Sequence, residues 1–235
     1  MKIFVDGAEH VAKPEVSVLD ALDAVGVHVP TLCHDPRLKP IGSCGMCAVE
    51  LRGPKATEWN VAPACATSAS EGMQIRTQSE RLEEARRWTL ELLFSRHSRA
   101  ARSYPERKNR PSLVCACRGH ATCVLRRLCL EGDAQPDRLG RPDRDPAPVL
   151  LRHGIELEMA KCVRCDRCVR MCREVVGVEA LSFHGRGSAT ELIYETPASP
   201  ELKQACDDCE EGGALCIETC PTDALHAPRK LEVVK

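Results

Sequence analysis

Sixteen cysteines occupy a chain of 235 residues, and they fall into four groups of four. The groups are Cys33, Cys44, Cys47 and Cys65; Cys115, Cys117, Cys123 and Cys129; Cys162, Cys165, Cys168 and Cys172; and Cys206, Cys209, Cys216 and Cys220. Four thiolates are what one iron–sulfur cluster or one structural zinc requires, so the even division points to four metal centres. The densest run, Cys162-x2-Cys165-x2-Cys168-x3-Cys172, can wrap a cubane, because a short turn bends its first three sulfurs toward one point. Its fourth sulfur then leaves along a following helix. Cys206-x2-Cys209-x6-Cys216-x3-Cys220-Pro221 is its partner. The crossed rule of two-cluster ferredoxins assigns Cys162, Cys165, Cys168 and Cys220 to one [4Fe–4S] centre, and Cys206, Cys209, Cys216 and Cys172 to the other. Two departures stand out: Arg173 follows Cys172 where a proline is usual, and Gly212-Gly213 falls in a lengthened spacing before Cys216.

Composition narrows the classes further. Hydrophobic residues at 43% and charged residues at 29% describe a globular chain, while three Phe, two Trp and two Tyr are too few for large aromatic-anchored cores. A net charge of −1 argues against nucleic-acid binding by broad electrostatics. No run of 18 apolar residues suggests a transmembrane segment. Met1-Lys2-Ile3-Phe4-Val5-Asp6-Gly7 leaves no room for a signal peptide, and so many thiols suit a reducing, cytoplasmic compartment.

The elements that must position the cysteines follow from local pattern. Lys2–Val5 alternates and Asp6-Gly7 signals a hairpin. Val18, Leu19, Leu22 and Val25 have helical spacing, with Ser17 as N-cap and Gly26 as stop. Short strands are expected at 47–51 and 74–77, which completes a small α+β roll over residues 1–77. Three ligands flank or lie in the loop Ile41-Gly42-Ser43-Cys44-Gly45-Met46-Cys47, whose glycines let backbone N–H groups approach sulfur. Spacing alone leaves zinc open for this first group.

Val29-Pro30-Thr31-Leu32-Cys33 followed by Gly42-Ser43-Cys44-Gly45-Met46-Cys47 resembles the [2Fe–2S] domain that opens the large iron–sulfur subunit of NADH:quinone oxidoreductase. A similar module heads the small diaphorase subunit of NAD-reducing hydrogenases, iron-only hydrogenases and NAD-dependent formate dehydrogenases. The resemblance implies a β-grasp ferredoxin fold holding one [2Fe–2S] cluster on Cys33, Cys44, Cys47 and Cys65. The segment Ala180–Glu191 resembles the same family.

Residues 78–131 form the next module. Ser79–Arg96 reads as an amphipathic helix with Leu82, Ala85, Thr89, Leu92 and Leu93 on one face. In the family, such a helix ends in a histidine followed by Cys-x2-Cys-x5-Cys, and those four residues hold a [4Fe–4S] cluster. Glu91–His97 and Cys117-x5-Cys123 resemble that motif, but seventeen residues separate His97 from Cys115, and the first pair is Cys115-x-Cys117. A third cubane is therefore expected on Cys115, Cys117 and Cys123, with His97 or Cys129 as fourth ligand, Cys129 being favoured because it lies nearer along the chain. The basic stretch Ser98–Arg110 lacks interleaved aromatics and reads as a solvated loop or a partner contact. Residues 132–150, with Pro136, Pro142, Pro146 and Pro148, read as a stiff linker to the two-[4Fe–4S] ferredoxin-like domain at 151–235.

No Walker loop, no dinucleotide fingerprint and no hydrolytic constellation appears; Gly185-x-Gly187 lacks the third glycine. His184 reads as a surface residue. The resemblance implies one [2Fe–2S] and three [4Fe–4S] clusters in an electron-transfer subunit. Such a subunit is expected between a flavin/NAD(P)-binding subunit and a separate catalytic subunit, because the 235 residues leave no room for a substrate-transforming domain. The rivals are a free-standing polyferredoxin shuttle and a zinc-stapled scaffold.

Overall fold

A computed structural model describes residues 1–95, 102–107, 110–114, 123–135, 138–139 and 147–227. The chain divides into two compact units: Met1–His34, Lys39–Ser95 and Arg127–Gly140 form the first, and Asp35–Leu38, Arg96–Arg126 and Arg141–Lys235 the second.

In the first unit β1 (Lys2–Val5) and β2 (Ala8–Val11) form the expected hairpin. Asp6 and Gly7 both take positive φ, 48° and 90°, as a two-residue turn of matching twist requires. The Asp6 carboxylate accepts from Thr77 N at 2.8 Å and Thr77 Oγ1 at 2.6 Å, which pins the turn to the chain just beyond β5 (Met73–Arg76). Helix α1 (Val18–Ala24) starts at Ser17, whose hydroxyl accepts from Asp20 N, and buries Val18, Leu19, Ala21 and Leu22. Strands β3 (Ala48–Arg52), β4 (Asn60–Pro63) and β5 complete a mixed sheet in the order β2-β1-β5-β3-β4. This is the β-grasp arrangement; β4 is the strand that the sequence pattern alone does not signal. Ile3, Val18, Leu22, Val49 and Ile75 share one core with Cys47 and Cys65.

Helix α2 (Glu80–Phe94) is capped by Ser79 and buries Leu82, Leu90, Glu91 and Phe94. Leu92, expected on the buried face, is 57% exposed. It follows Leu90 by two residues, about 200° around the helix, and so points away from the arc that Leu90 and Phe94 define. Glu91 is fully buried: its carboxylate accepts from Gln135 N at 3.0 Å and Arg138 Nη1 at 3.3 Å. The Arg138 guanidinium also covers the Trp88 ring at 4.0 Å. Gln135 and Arg138, at the start of the proline-rich stretch, are thereby tied to α2.

Strands β6 (Arg102–Arg107) and β7 (Arg110–Val114) pair antiparallel, so the described part of the stretch read as a solvated loop or a partner contact is strand. Its register shifts between Tyr104 and Arg107, where Pro105 offers no N–H to the ladder. Helix α3 (Val124–Glu131) follows.

In the second unit β8 (Val149–Leu150), β9 (Glu156–Leu157) and β12 (Leu225–His226) form a small antiparallel sheet, and β10 (Leu181–His184) pairs with β11 (Glu191–Tyr194). Helix α4 (Arg167–Arg170) runs on into a π-helical turn, Met171–Val176. Helices α5 (Pro200–Glu211), capped by Ser199, and α6 (Leu215–Glu218) complete the unit. Ile155, Leu157, Leu181, Leu192 and Leu225 make its core together with Cys168. Among the described residues no helix is long and apolar enough to cross a membrane.

Removing the Glu91 carboxylate leaves the Gln135 N–H and the Arg138 guanidinium without their acceptor. Glu91→Ala should lower stability by about 1–3 kcal/mol in chemical denaturation of anaerobically held protein, and Arg138→Ala by less, since that side chain is half exposed.

Candidate metal centres

The first group of cysteines sits where the loop after α1 returns to β3. Gly42 and Gly45 both have positive φ, 62° and 73°, and a Cβ on Gly42 would come within 3.2 Å of the Ala66 Cβ. Both glycines thus do what the loop pattern requires. The backbone N–H groups of Cys44 and Ser43 point at the Cys33 sulfur, that of Met46 at Cys44, and that of Gly42 at Cys65. Cys33, Cys47 and Cys65 are buried, and the Cys47 and Cys65 sulfurs lie 3.4 Å apart. The sulfurs form two close pairs, Cys33 with Cys44 and Cys47 with Cys65. Within each pair, the hydrogen bond between the two sulfurs raises one thiol and lowers the other: Cys33 and Cys65 go up, Cys44 falls to about 6 and Cys47 to about 7. A pocket with several amides aimed at sulfur and a shared proton within each pair is suited to hold thiolate.

Arg86 of α2 adds a positive charge nearby. Its Nη2 donates to Ala48 O at 2.6 Å and to Thr77 O at 3.1 Å, and Nε has no partner. Burial lowers its pKa, while the negative charge of Cys47 acts in the opposite direction.

The C-terminal eight cysteines separate into two cavities. One, of about 20 Å³, is lined by Cys162, Cys165, Cys168 and Cys220, with Leu157 and Phe183 in its walls. The other, of about 50 Å³, is lined by Cys172, Cys206, Cys209 and Cys216. The backbone explains the exchange of fourth members. Arg164 and Asp166 take positive φ, 52° and 65°, and turn the chain sharply around Cys165. Helix α4 then carries Cys168 at the first cavity, and its π-helical continuation carries Cys172 to the second. Cys206 and Cys209 lie three apart on α5, hence on one side of that helix. The lengthened spacing before Cys216 is taken up by the last residues of α5 and the turn through Gly212 and Gly213, before α6 brings Cys216 back.

Several sulfurs in these cavities meet backbone donors while burial keeps water from them. The Arg164 N–H points at Cys162, the Arg167 N–H at Cys165, and Ala224 N reaches the Cys220 sulfur at 3.2 Å. Burial pushes Cys165 and Cys216 up to about 12 and holds Cys168 well above the ordinary thiol value. Thiols so desolvated carry negative charge only when a positive partner shares the cavity, and that is the chemistry of a metal site. Four soft sulfur donors around a void larger than one ion fit an iron–sulfur cubane.

Of the middle group, Cys115, Cys117 and the candidate His97 lie outside the described residues. Cys123 and Cys129 are both buried. Cys123 precedes α3, with the N–H groups of Arg126 and Leu125 aimed at its sulfur, and burial raises its pKa. Its sulfur lies within electrostatic reach of Cys220, and Val124 N donates to Pro221 O at 2.8 Å. Cys129 is six residues further on, about 9 Å along the helix axis. His184 is exposed at the end of β10.

Sequence pattern missed an ionic node in the second unit. Asp35 is 3% exposed, and its carboxylate accepts from Arg37 Nε at 2.9 Å, Arg167 Nη2 at 2.7 Å and Thr219 Oγ1 at 3.0 Å. The Arg37 guanidinium foremost holds the Asp35 carboxyl well below the usual carboxylate range. Arg167 lies between Cys165 and Cys168, and Thr219 precedes Cys220, so this carboxylate fastens the two stretches that line the smaller cavity. An aspartate two residues after a cysteine carries no spacing signal that would have revealed it.

Residues 1–80 match the family model of the 2Fe-2S iron-sulfur cluster binding domain, and residues 153–226 that of the NADH-quinone oxidoreductase subunit 3 ferredoxin-like domain. An NADH-quinone oxidoreductase subunit of Rhizobium meliloti (strain 1021) is 31% identical over 228 residues, covering 96% of this chain and 24% of that protein. NADPH-Fe(3+) oxidoreductase subunit alpha of Geobacter sulfurreducens is 28% identical over 232 residues, with the same coverages. The chain thus spans about a quarter of the length of these curated relatives. A chain of an NAD+-reducing [NiFe]-hydrogenase in the H2-reduced state shares the fold, with a TM-score of 0.73 at 24% identity over 100% of this chain and 89% of that one. Residues 1–80 thus have the fold of a 2Fe–2S ferredoxin domain, and residues 153–226 a ferredoxin-like fold.

Proposed function

We propose that this chain is an electron-transfer iron–sulfur subunit of an NAD(P)-linked oxidoreductase complex, relaying electrons between a flavin subunit and a catalytic subunit. The observation that carries the reading is the pair of C-terminal cavities, each lined by four cysteines drawn crosswise from the two sequence motifs. Relatives named as subunits of NADH-quinone and NADPH-Fe(3+) oxidoreductases support the same assignment.

On this reading Cys33, Cys44, Cys47 and Cys65 hold a [2Fe–2S] cluster. Cys162, Cys165, Cys168 and Cys220 hold one [4Fe–4S] cluster, and Cys172, Cys206, Cys209 and Cys216 another. Cys115, Cys117 and Cys123 hold a third, with His97 or Cys129 completing it. The roughly 9 Å of helix between Cys123 and Cys129 stands against Cys129. Clusters so held pass one electron at a time, at potentials set by hydrogen bonds to sulfur and by solvent exposure. The chain's own residues bury the sulfurs, aim amides at them and fix their separations. The nearness of Cys123 to Cys220, and the helix shared by Cys168 and Cys172, support an order of middle centre, smaller cavity, larger cavity.

Anaerobically purified protein should carry about fourteen irons per chain with matching sulfide. Zinc in place of iron, or two irons or fewer, overturns the reading. Crossed ligation has its own signature in the electron paramagnetic spectrum of the reduced protein. Cys172→Ser should perturb the same centre as Cys209→Ser and leave intact the one that Cys165→Ser removes. For the middle centre, His97→Ala and Cys129→Ala should differ: the first removes one cubane signal and about four irons, and the second leaves both unchanged.

A further inference from the structure

Tyr194, the last residue of β11, stands in the wall of the larger cavity beside Cys206. Its hydroxyl oxygen is buried and makes no hydrogen bond of good geometry, which is costly for a phenol inside a protein. The polar groups that face it are the Cys206 sulfur and the Arg152 guanidinium. Arg152 is itself held in place. Its Nη2 donates to Asp207 Oδ1 at 2.6 Å, and its Nε lies 2.9 Å from His153 Nε2. His153 Nε2 is in turn 3.1 Å from the same Asp207 oxygen. The guanidinium has donors only, so it can serve the lone pairs of Tyr194 Oη and leaves the hydroxyl proton nothing to bond but sulfur.

The geometry points to Tyr194 as a positioning residue that sets the reduction potential of the centre held by Cys172, Cys206, Cys209 and Cys216, by donating its hydroxyl proton to the Cys206 sulfur. This inference rests on the cluster reading above. A hydroxyl that donates to a cluster thiolate favours the more negative, reduced form, and so raises the potential. The proton stays on Oη throughout; only the incoming electron changes the charge. Arg152, fixed by Asp207, orients the hydroxyl and adds a positive charge on the same side. The smaller cavity has no tyrosine: Leu157, Phe183, Leu192 and Leu225 stand in its wall, and the hydroxyl near one of its sulfurs is that of Thr222, 3.9 Å from Cys220.

The test is a potentiometric titration of the full chain under anaerobic conditions, followed by electron paramagnetic resonance. Tyr194→Phe keeps the ring and removes one oxygen. With iron content unchanged, the midpoint of one cubane should move down while the others stay. Unmoved midpoints in an iron-replete variant overturn the inference. A second measurement holds even where the variant loses iron. The chain has two tyrosines, Tyr104 and Tyr194. In a Tyr104→Phe background, global replacement of tyrosine by 3-fluorotyrosine therefore alters Tyr194 alone and makes its hydroxyl a stronger donor. The same midpoint should then move up; no shift, or a downward one, counts against the role. Failure of the underlying reading looks different, because the unmodified chain would then lack iron and sulfide altogether.

Discussion

A sulfur buried away from water resists carrying charge, and this one constraint organises most of the second unit. Burial holds Cys165, Cys168 and Cys216 far above the ordinary thiol range, so their neutral forms prevail until a positive partner enters the cavity. A metal that accepts four thiolates at once reverses the balance, and its binding energy becomes folding energy. The backbone is arranged for that moment. Amides of Arg164, Arg167, Ala224 and Ile217 already face sulfur, so the thiolates gain hydrogen bonds as they lose protons. The first unit meets the same constraint differently. There the sulfurs stand in close pairs that share protons, and Arg86 brings a buried positive charge within reach of Cys47.

On the proposed reading sulfur has a double use, which is consistent with the scarcity of aromatic side chains. Cys47 and Cys65 pack with Ile3, Val18 and Val49, and Cys168 packs with Leu157 and Leu225, so the cysteines are core residues as well as donors. Small units with cores of modest aliphatic residues are marginal without such cross-links.

Much of this was legible in the sequence because it is encoded locally. The Asp6-Gly7 turn, the Ser17 cap and the two glycines of the cysteine loop are short-range devices, and each is where its pattern places it. The crossed cavities were legible too, because the two cysteine runs, Cys162 to Cys172 and Cys206 to Cys220, have the pattern of two-cluster ferredoxins, in which the last cysteine of each run serves the other centre. What was not legible depends on partners distant in the chain. The Asp35 carboxylate answers to Arg167 and Thr219, 132 and 184 positions away. Tyr194 gains its setting from Arg152 and Cys206, and Glu91 from Gln135 and Arg138. The misplacement of Leu92 has another cause: α2 packs along the arc of Leu90 and Phe94, and a generic amphipathic stripe averages over such rotations.

The helix that runs from Arg167 through the π turn to Val176 has one more consequence. Cys168 and Cys172 belong to different cavities yet ride on the same hydrogen-bonded rod, about 6 Å apart along its axis. Electron tunnelling falls off exponentially with distance, so a gap spanned by loops would make the hop rate wander with every thermal excursion. A gap spanned by about one turn of continuous helix does not stretch that way. On the proposed reading, the spacing between the two centres is set by the covalent and hydrogen-bond geometry of this helix more than by the surrounding loops.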